Sequence, residues 1–444
     1  MLAKIKVMSD GGLQSMIAAT EDHLIDSIRF GNFRATASYV TERKSVRIPF
    51  LAPIYKPSGV TVMRATVADP GWLDCSTLFL SCLVTNTSDE TGEVLKPLTT
   101  SIGGAFQRGR LISGQVIEEV LEYGRVSHIY DIMKPKTGLD MDKTLGFATA
   151  TTANGDVPLA LQAGESKRVW HKPCFGLMFQ DKWIPTNYAP LTFEFTLGGP
   201  DDWLNTEPSS AGIAASTSWE ISDAFLYYDI CILDAEVQSS YAATLRRGES
   251  LNVAYHSSLM QSNTVLGASF SIQILRNLAR VKSIFVTLSR ADEGKTKVAT
   301  TQLWHPQVDP NEYPDSGIQA IIQIGGRRVP QQPIGPRDAA QLWFALQKAA
   351  GVLGSSVMPL GITYQEFLNT DANGLRKFIY ATDMEKVLHA GYSGEDFGGG
   401  RALLIDMKGV GDHGAPASQA TRCHVLLVHE AAMSISESGV EVTS

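Results

Sequence analysis

Residues 190–200 read PLTFEFTLGGP. In an extended chain Leu191, Phe193, Phe195 and Leu197 share one face, while Thr192, Glu194 and Thr196 share the other. Pro190 and the Gly198-Gly199-Pro200 run close the segment at both ends. Alternation with a period of two between such breakers marks a strand with one face in a core and one toward water. Downstream, WEISDAFLYYDICILD (219–234) repeats the pattern, with Ala224, Leu226, Tyr228, Ile230 and Ile232 on one face and Asp223 and Asp229 interrupting the other. Similar runs occur near 45–54, 59–67, 77–85, 268–276, 281–289, 318–325, 402–408 and 423–429. Their irregular and often long spacing favours sandwiches over the regular blades of a propeller.

Three segments carry helical spacing instead. In QVIEEVLEYGRVSHIYDIM (115–133) a stripe runs through Val116, Ile117, Val120, Leu121, Val126, Ile129 and Tyr130, which predicts a helix bent at Gly124 with Glu118 and Glu119 on its exposed side. In RDAAQLWFALQKAAG (337–351) Asp338 is the expected N-cap, Leu342, Trp343, Leu346 and Ala350 line one face, and Gly351 ends the helix. A weaker pattern covers 12–29. The first two helices begin almost half the chain apart, each with strands before and after it, so the order of elements reads as one plan used twice.

A chain of 444 residues exceeds the roughly 250–300 residues at which single cores stop growing. The expected division is an arm over 1–44, a first unit over 45–236, a linker over 237–260 and a second unit over 261–444. Strand-rich units of about 200 residues with long connections and an inserted helix fit a jelly roll better than an immunoglobulin sandwich of about 100 residues. The expected fold class is therefore all-β, two tandem jelly-roll β-sandwiches with short inserted helices.

Composition narrows the function. With 44% hydrophobic and 19% charged residues, 39 Gly and 20 Pro, the chain is globular and turn-rich. A net charge of −8 with no basic tail argues against a surface that grips phosphates, and no direct sequence-specific nucleic-acid binding is expected. Five cysteines without framework spacing predict free thiols and synthesis in a reducing compartment. Neither a signal peptide nor a membrane span is expected.

No catalytic, cofactor or metal residues are assigned. His171 and Cys174, with Cys423, His424 and His429, lack the convergent pairs of a zinc site and read as core packing. Asp140 and Asp142 lack the calcium-loop pattern, and Gly294-Lys295-Thr296 lacks the upstream glycine of a phosphate loop, with Ser289 in its place. Ser355-Ser356 after Gly354 has no following glycine to make a nucleophile elbow. Asn86-Thr87-Ser88 fits a glycosylation sequon but without a secretory signal. Trp203, in GGPDDWLNTEPSS, is the expected exposed loop tip.

Seven segments then occur in an order that resembles a known family: AFQRGRLISGQVIEEVLEYGRVSHIYDIM (105–133), FGLMFQDKWIPTNYAPLTFEFTL (175–197), WEISDAFLYYDICILDAEVQSSYAATLRRGESLNVAYHS (219–257), ILRNLARVKSIFVTLSR (274–290), IQIGGRRVPQQPIGPRDAAQLWFALQKAAG (322–351), FIYATDMEKVLHAGYSGEDF (378–397) and RCHVLLVHEAAMSISESGVEV (422–442). They are similar to the double-jelly-roll major capsid proteins of tailless icosahedral viruses, of the polinton-like virus and virophage type in the adenovirus-hexon lineage. The resemblance covers most of 100–444. It implies a non-enzymatic structural protein of the virion, made inside the host cell, whose homotrimer forms a pseudo-hexagonal capsomer tiling an icosahedral shell. The implied partners are further copies of itself and vertex (penton) and minor capsid proteins, with no cofactor. The alternative is a glycan-binding or glycan-active jelly-roll protein, which needs converging carboxylates or a histidine-metal cluster.

Overall fold

The computed structural model describes residues 39–134, 145–147, 159–204, 214–265, 267, 269–278, 280–289, 319–334, 339–353, 360–362, 364, 367, 378–386, 394–397, 401–409 and 422–443. The helix expected over 12–29, Asp140, Asp142, Gly294-Lys295-Thr296, Asp338 and Ser355-Ser356 lie outside these residues.

The first half holds β1 (Val40–Pro49), β2 (Ile54–Tyr55), β3 (Val62–Val67), β4 (Trp72–Asn86), β5 (Val94–Leu95), β6 (Phe106–Ser113), β7 (Gln115–Leu121), β8 (Leu161–Gln162), β9 (Ser166–His171), β10 (Ile184–Pro185), β11 (Leu191–Leu197) and β12 (Trp219–Leu233), with helix α1 (Tyr123–Met133) after β7. Helix α2 (Ala235–Arg246) leads to the second half. There β13 (Leu251–Thr264), β14 (Phe270–Ile274), β15 (Val281–Ser289), β16 (Gln319–Ile324), β17 (Arg327–Ile334), helix α3 (Ala339–Ala349), β18 (Tyr380–Asp383), β19 (Leu403–Lys408), β20 (Arg422–Ser436) and β21 (Gly439–Thr443) follow.

Two sheets in the first half run β1-β12-β4-β10 and β3-β11-β6-β7; two in the second run β13-β20-β15-β18 and β14-β19-β16-β17. Take β1, β3, β4, β6, β7, β10, β11 and β12 as strands one to eight of the first set, and β13 to β20 as one to eight of the second. Both sets then have the orders 1-8-3-6 and 2-7-4-5. An inserted helix follows strand five in each. This is a double jelly roll: each sandwich closes two antiparallel sheets over a core, and strands change sheet at almost every connection.

The predicted faces hold where alternation is clean. Leu191, Phe193, Phe195 and Leu197 are buried. Phe195 packs against Phe106, Tyr123 and Phe175 at ring distances of 5.0, 5.5 and 5.8 Å. Burying each such side chain stabilises the fold by about 1.5–3 kcal/mol. Ala224, Leu226, Tyr228 and Ile230 of β12 are also buried. The odd-face acids find cations: Asp229 accepts from Arg43 Nε at 2.7 Å and Asp223 from Arg47 Nη2 at 2.8 Å. All five cysteines are free and buried.

Four expectations are corrected. The helix expected over 115–133 is a strand followed by a helix. β7 pairs β6 with a register shift between Leu111 and Ile112, and the extra residue of that bulge breaks the period of two into a false helical stripe. Glu122, at φ 49°, makes the turn into α1. Gly124 does not bend the helix; it allows close approach, since a Cβ there would lie 2.6 Å from the Gly104 carbonyl oxygen. The arm expected over 1–44 already contains the start of β1, where Val40 pairs Leu233; its polar, exposed side chains hid the strand. The linker expected over 237–260 is helix α2 and part of β13. In α2 only Leu245 is buried, so no apolar stripe announced it. Trp203 is no exposed tip: it is fully buried against Trp219 (5.4 Å) and Phe147 (5.6 Å), drawn in by the tight turn in which Gly199 N–H donates to Asp202 Oδ2.

Candidate functional site

A buried polar region lies at the seam between the two sandwiches, where β7 and α1 meet β13 and β20. The bulge that disguised β7 turns Glu118 inward, to 3% exposure, rather than onto a solvated helix face. Its Oε1 accepts from Gly176 N–H at 2.9 Å and from the Ser257 hydroxyl of β13 at 3.0 Å. Tyr255 donates to the Ile117 carbonyl at 3.2 Å, and the Tyr130 and Ser258 hydroxyls lie 2.6 Å apart. Two glycines close the seam. A Cβ at Gly176 would lie 1.6 Å from the His256 carbonyl oxygen, and one at Gly361 would lie 1.9 Å from that of Lys134.

Next along the seam, Glu122 approaches His424 of β20 at 3.5 Å and Arg125 at 3.3 Å. Burial alone would raise the Glu122 carboxyl, but hydrogen bonds from His424 and Ser262 and the Arg125 charge outweigh it and hold it at about 2. Burial, with the nearby Arg125 charge, pushes His424 down to about 4, and Ser289 bonds its Nε2 at 2.8 Å. Deeper in the first sandwich His171 sits between Ser101 Oγ (2.9 Å) and Tyr123 OH (2.8 Å), and burial pushes it to about 3. The Cys174 N–H donates to the same Tyr123 hydroxyl. These histidines are held as hydrogen-bonded core groups. Asn86 is likewise fully buried, donating to the Leu161 carbonyl at 3.0 Å and accepting from Ser216, a placement that leaves no access for a glycan.

The seam sets a pH dependence. Burial pushes Glu118 up to about 7, from an ordinary 4.5. The folded chain therefore keeps a proton that the unfolded chain loses, and this contribution is complete below pH 4.5 and falls away as pH rises through 7. His171 and His424 act in the opposite sense, since the fold refuses protons that the unfolded chain binds below pH 6.5. Glu122 adds stability above pH 4.5 that is lost as pH falls toward 2. Thermal unfolding should show greatest stability near pH 6.5. Glu118→Gln should remove the alkaline limb and stabilise the protein at pH 8 by about 1–3 kcal/mol; parallel wild-type and variant profiles from pH 5 to 8.5 would refute the assignment.

Among the described residues no helix is long and apolar enough to cross a membrane. No family model matches the chain, and no curated protein matches it. Solved structures do. The Sputnik virophage structure is 10% identical over 95% of this chain and 92% of that one, with a TM-score of 0.59. The Faustovirus major capsid protein is 10% identical over 97% and 99%, with a TM-score of 0.57. A PBCV-1 protein fitted into a cryo-EM reconstruction of Sputnik is 13% identical over 91% and 97%, with a TM-score of 0.56. At these identities the likeness is one of fold, carried end to end: the chain has the double jelly-roll fold of viral major capsid proteins.

Proposed function

We propose that the chain is a major capsid protein, a structural subunit whose homotrimer forms a pseudo-hexagonal capsomer of an icosahedral virion. The observation that supports this most is the repeated 1-8-3-6 and 2-7-4-5 strand order in one chain, over nearly the whole length of the Faustovirus capsid protein. Two similar sandwiches joined at α2, three times over, supply six similar sides to a block. A polar seam sealed by glycines keeps the two sandwiches in fixed register, as a tile requires. Vertex and minor capsid proteins are the proposed further partners.

One edge of the first sandwich offers a surface for self-association. Among the described residues β3 pairs on one side only, with β11. Beside it Leu51, Ile54, Val60 and Val62 are exposed, Leu51 to 82%, and Leu51 N–H donates to the Arg64 carbonyl of β3. Open strand edges flanked by apolar side chains are managed in stable proteins by being covered. Light scattering on purified protein should give a trimer, and negative-stain images a pseudo-hexagonal outline or closed shells. Leu51→Asp with Val62→Asp should shift the mass toward monomer with the circular dichroism unchanged. A compact wild-type monomer at every salt and pH would sink the capsid reading and direct a screen against carbohydrates.

A further inference from the structure

The second sandwich carries a basic surface that its twin lacks. Strand alternation brings three connections to one end: residues 275–278 and 280 between β14 and β15, the Gly325-Gly326 turn between β16 and β17, and the described parts of 384–402 between β18 and β19. Gly325 N–H donates to the Ala402 carbonyl and Phe397 N–H to that of Leu278, which ties the three together. Arg276, Arg280, Arg327, Arg328, Lys386 and Arg401 are exposed on them. Three of these cations converge on one carboxylate: Glu395 lies 3.4 Å from Arg327, 3.7 Å from Lys386 and 3.9 Å from Arg401. That carboxylate is only 14% exposed, whereas the cations are 57–68% exposed. Glu430, which pairs Arg280, is also buried. The acids lie beneath and the charge that reaches water is positive, although the exposed Asp396 offsets part of it.

The fold itself does not require these cations. The corresponding connections of the first sandwich, 68–71, Gly114 and 186–190, hold Asp69 and no Lys or Arg. In a chain of net charge −8, a one-sided cluster whose exposed cations outnumber its acids makes a local positive field that attracts anions. Five of the six cations are arginine, whose planar fork matches phosphate oxygens. Phe397 is buried, and the described residues of these connections offer no exposed aromatic on which an unstacked base would lie. Leu275 is the one exposed large apolar side chain among them, too little to anchor in a bilayer.

We infer that this end of the second sandwich binds the sugar-phosphate backbone of duplex nucleic acid, without sequence preference. The inference goes beyond the capsid reading and is tested on the full-length protein in whatever oligomeric state it takes, so that either can fail alone. The probe is a fluorescent DNA duplex of arbitrary sequence, read by anisotropy. Contact with about three phosphates predicts an affinity about 40-fold weaker at about 200 mM than at about 50 mM salt. The Arg276→Glu, Arg327→Glu, Arg401→Glu triple variant should bind at least tenfold more weakly, with unchanged circular dichroism and mass, while Lys44→Glu on the outer face of the first sandwich should bind as wild type. Absence of duplex binding at about 50 mM salt, equal binding by the triple variant, or arginine-dependent binding to phosphatidylserine vesicles without binding to duplex would each overturn the inference.

Discussion

Phe195→Asp is expected to yield no folded protein. The ring is completely buried within a cluster of Phe106, Tyr123 and Phe175. Truncating such a ring costs about 3–5 kcal/mol, and an unpaired carboxylate in its place adds several more. Together these approach or exceed the whole stability of an ordinary domain, about 5–15 kcal/mol. Leu226→Asp, on the equally buried face of β12, should behave the same way. Phe195→Leu keeps most of the volume and should remain folded at a loss near 1.5 kcal/mol. Soluble, cooperatively melting Phe195→Asp protein would show that the strand faces are misassigned.

The second large effect is expected at Gly176, where alanine should uncouple the two sandwiches. Its Cβ would meet the His256 carbonyl at 1.6 Å, and because that neighbour is backbone, no rotamer change relieves the clash. β13 must move away. With it go the Ser257 bond to Glu118 and the Tyr255 and Tyr130 bonds across the seam. Calorimetry should show a wild-type transition that splits, in Gly176→Ala, into two at lower temperature. A single unshifted transition would mean that the seam contributes little to holding the halves together.

The fold was legible where apolar and polar residues alternate cleanly along a strand. LTFEFTL is such a case, and its four apolar residues are those that the core contains. Legibility failed where an element answers to two cores or to none. β7 has Ile117 and Val120 in the hydrophobic core and Glu118 against the second sandwich, so its pattern follows neither simple period. Helix α2 buries a single residue and had no period to show. Trp203 sat among Gly, Pro and Asp and read as solvent-facing, yet the turn at Gly199–Asp202 folds it inward. The seam itself was invisible for a related reason. Glu118 and Gly176 are ordinary in their local contexts and become special only when Ser257 and His256, far along the chain, are set beside them. The one usable sign was the odd placement of Glu118 between Ile117 and Val120, a carboxylate inside an apolar run that water would not obviously reach.

The thiols divide unevenly, with Cys75, Cys82, Cys174 and Cys231 in the first sandwich and Cys423 in the second. Burial pushes Cys75, Cys82, Cys174 and Cys423 up to about 12, so at neutral pH almost no thiolate exists to react and reagents are excluded as well. Each cysteine becomes a stopwatch that starts only when its own β-layer parts. A labelling time course read by mass spectrometry would therefore record how often each half of the molecule breathes, with Cys423 reporting the second half alone and no probe added to the protein.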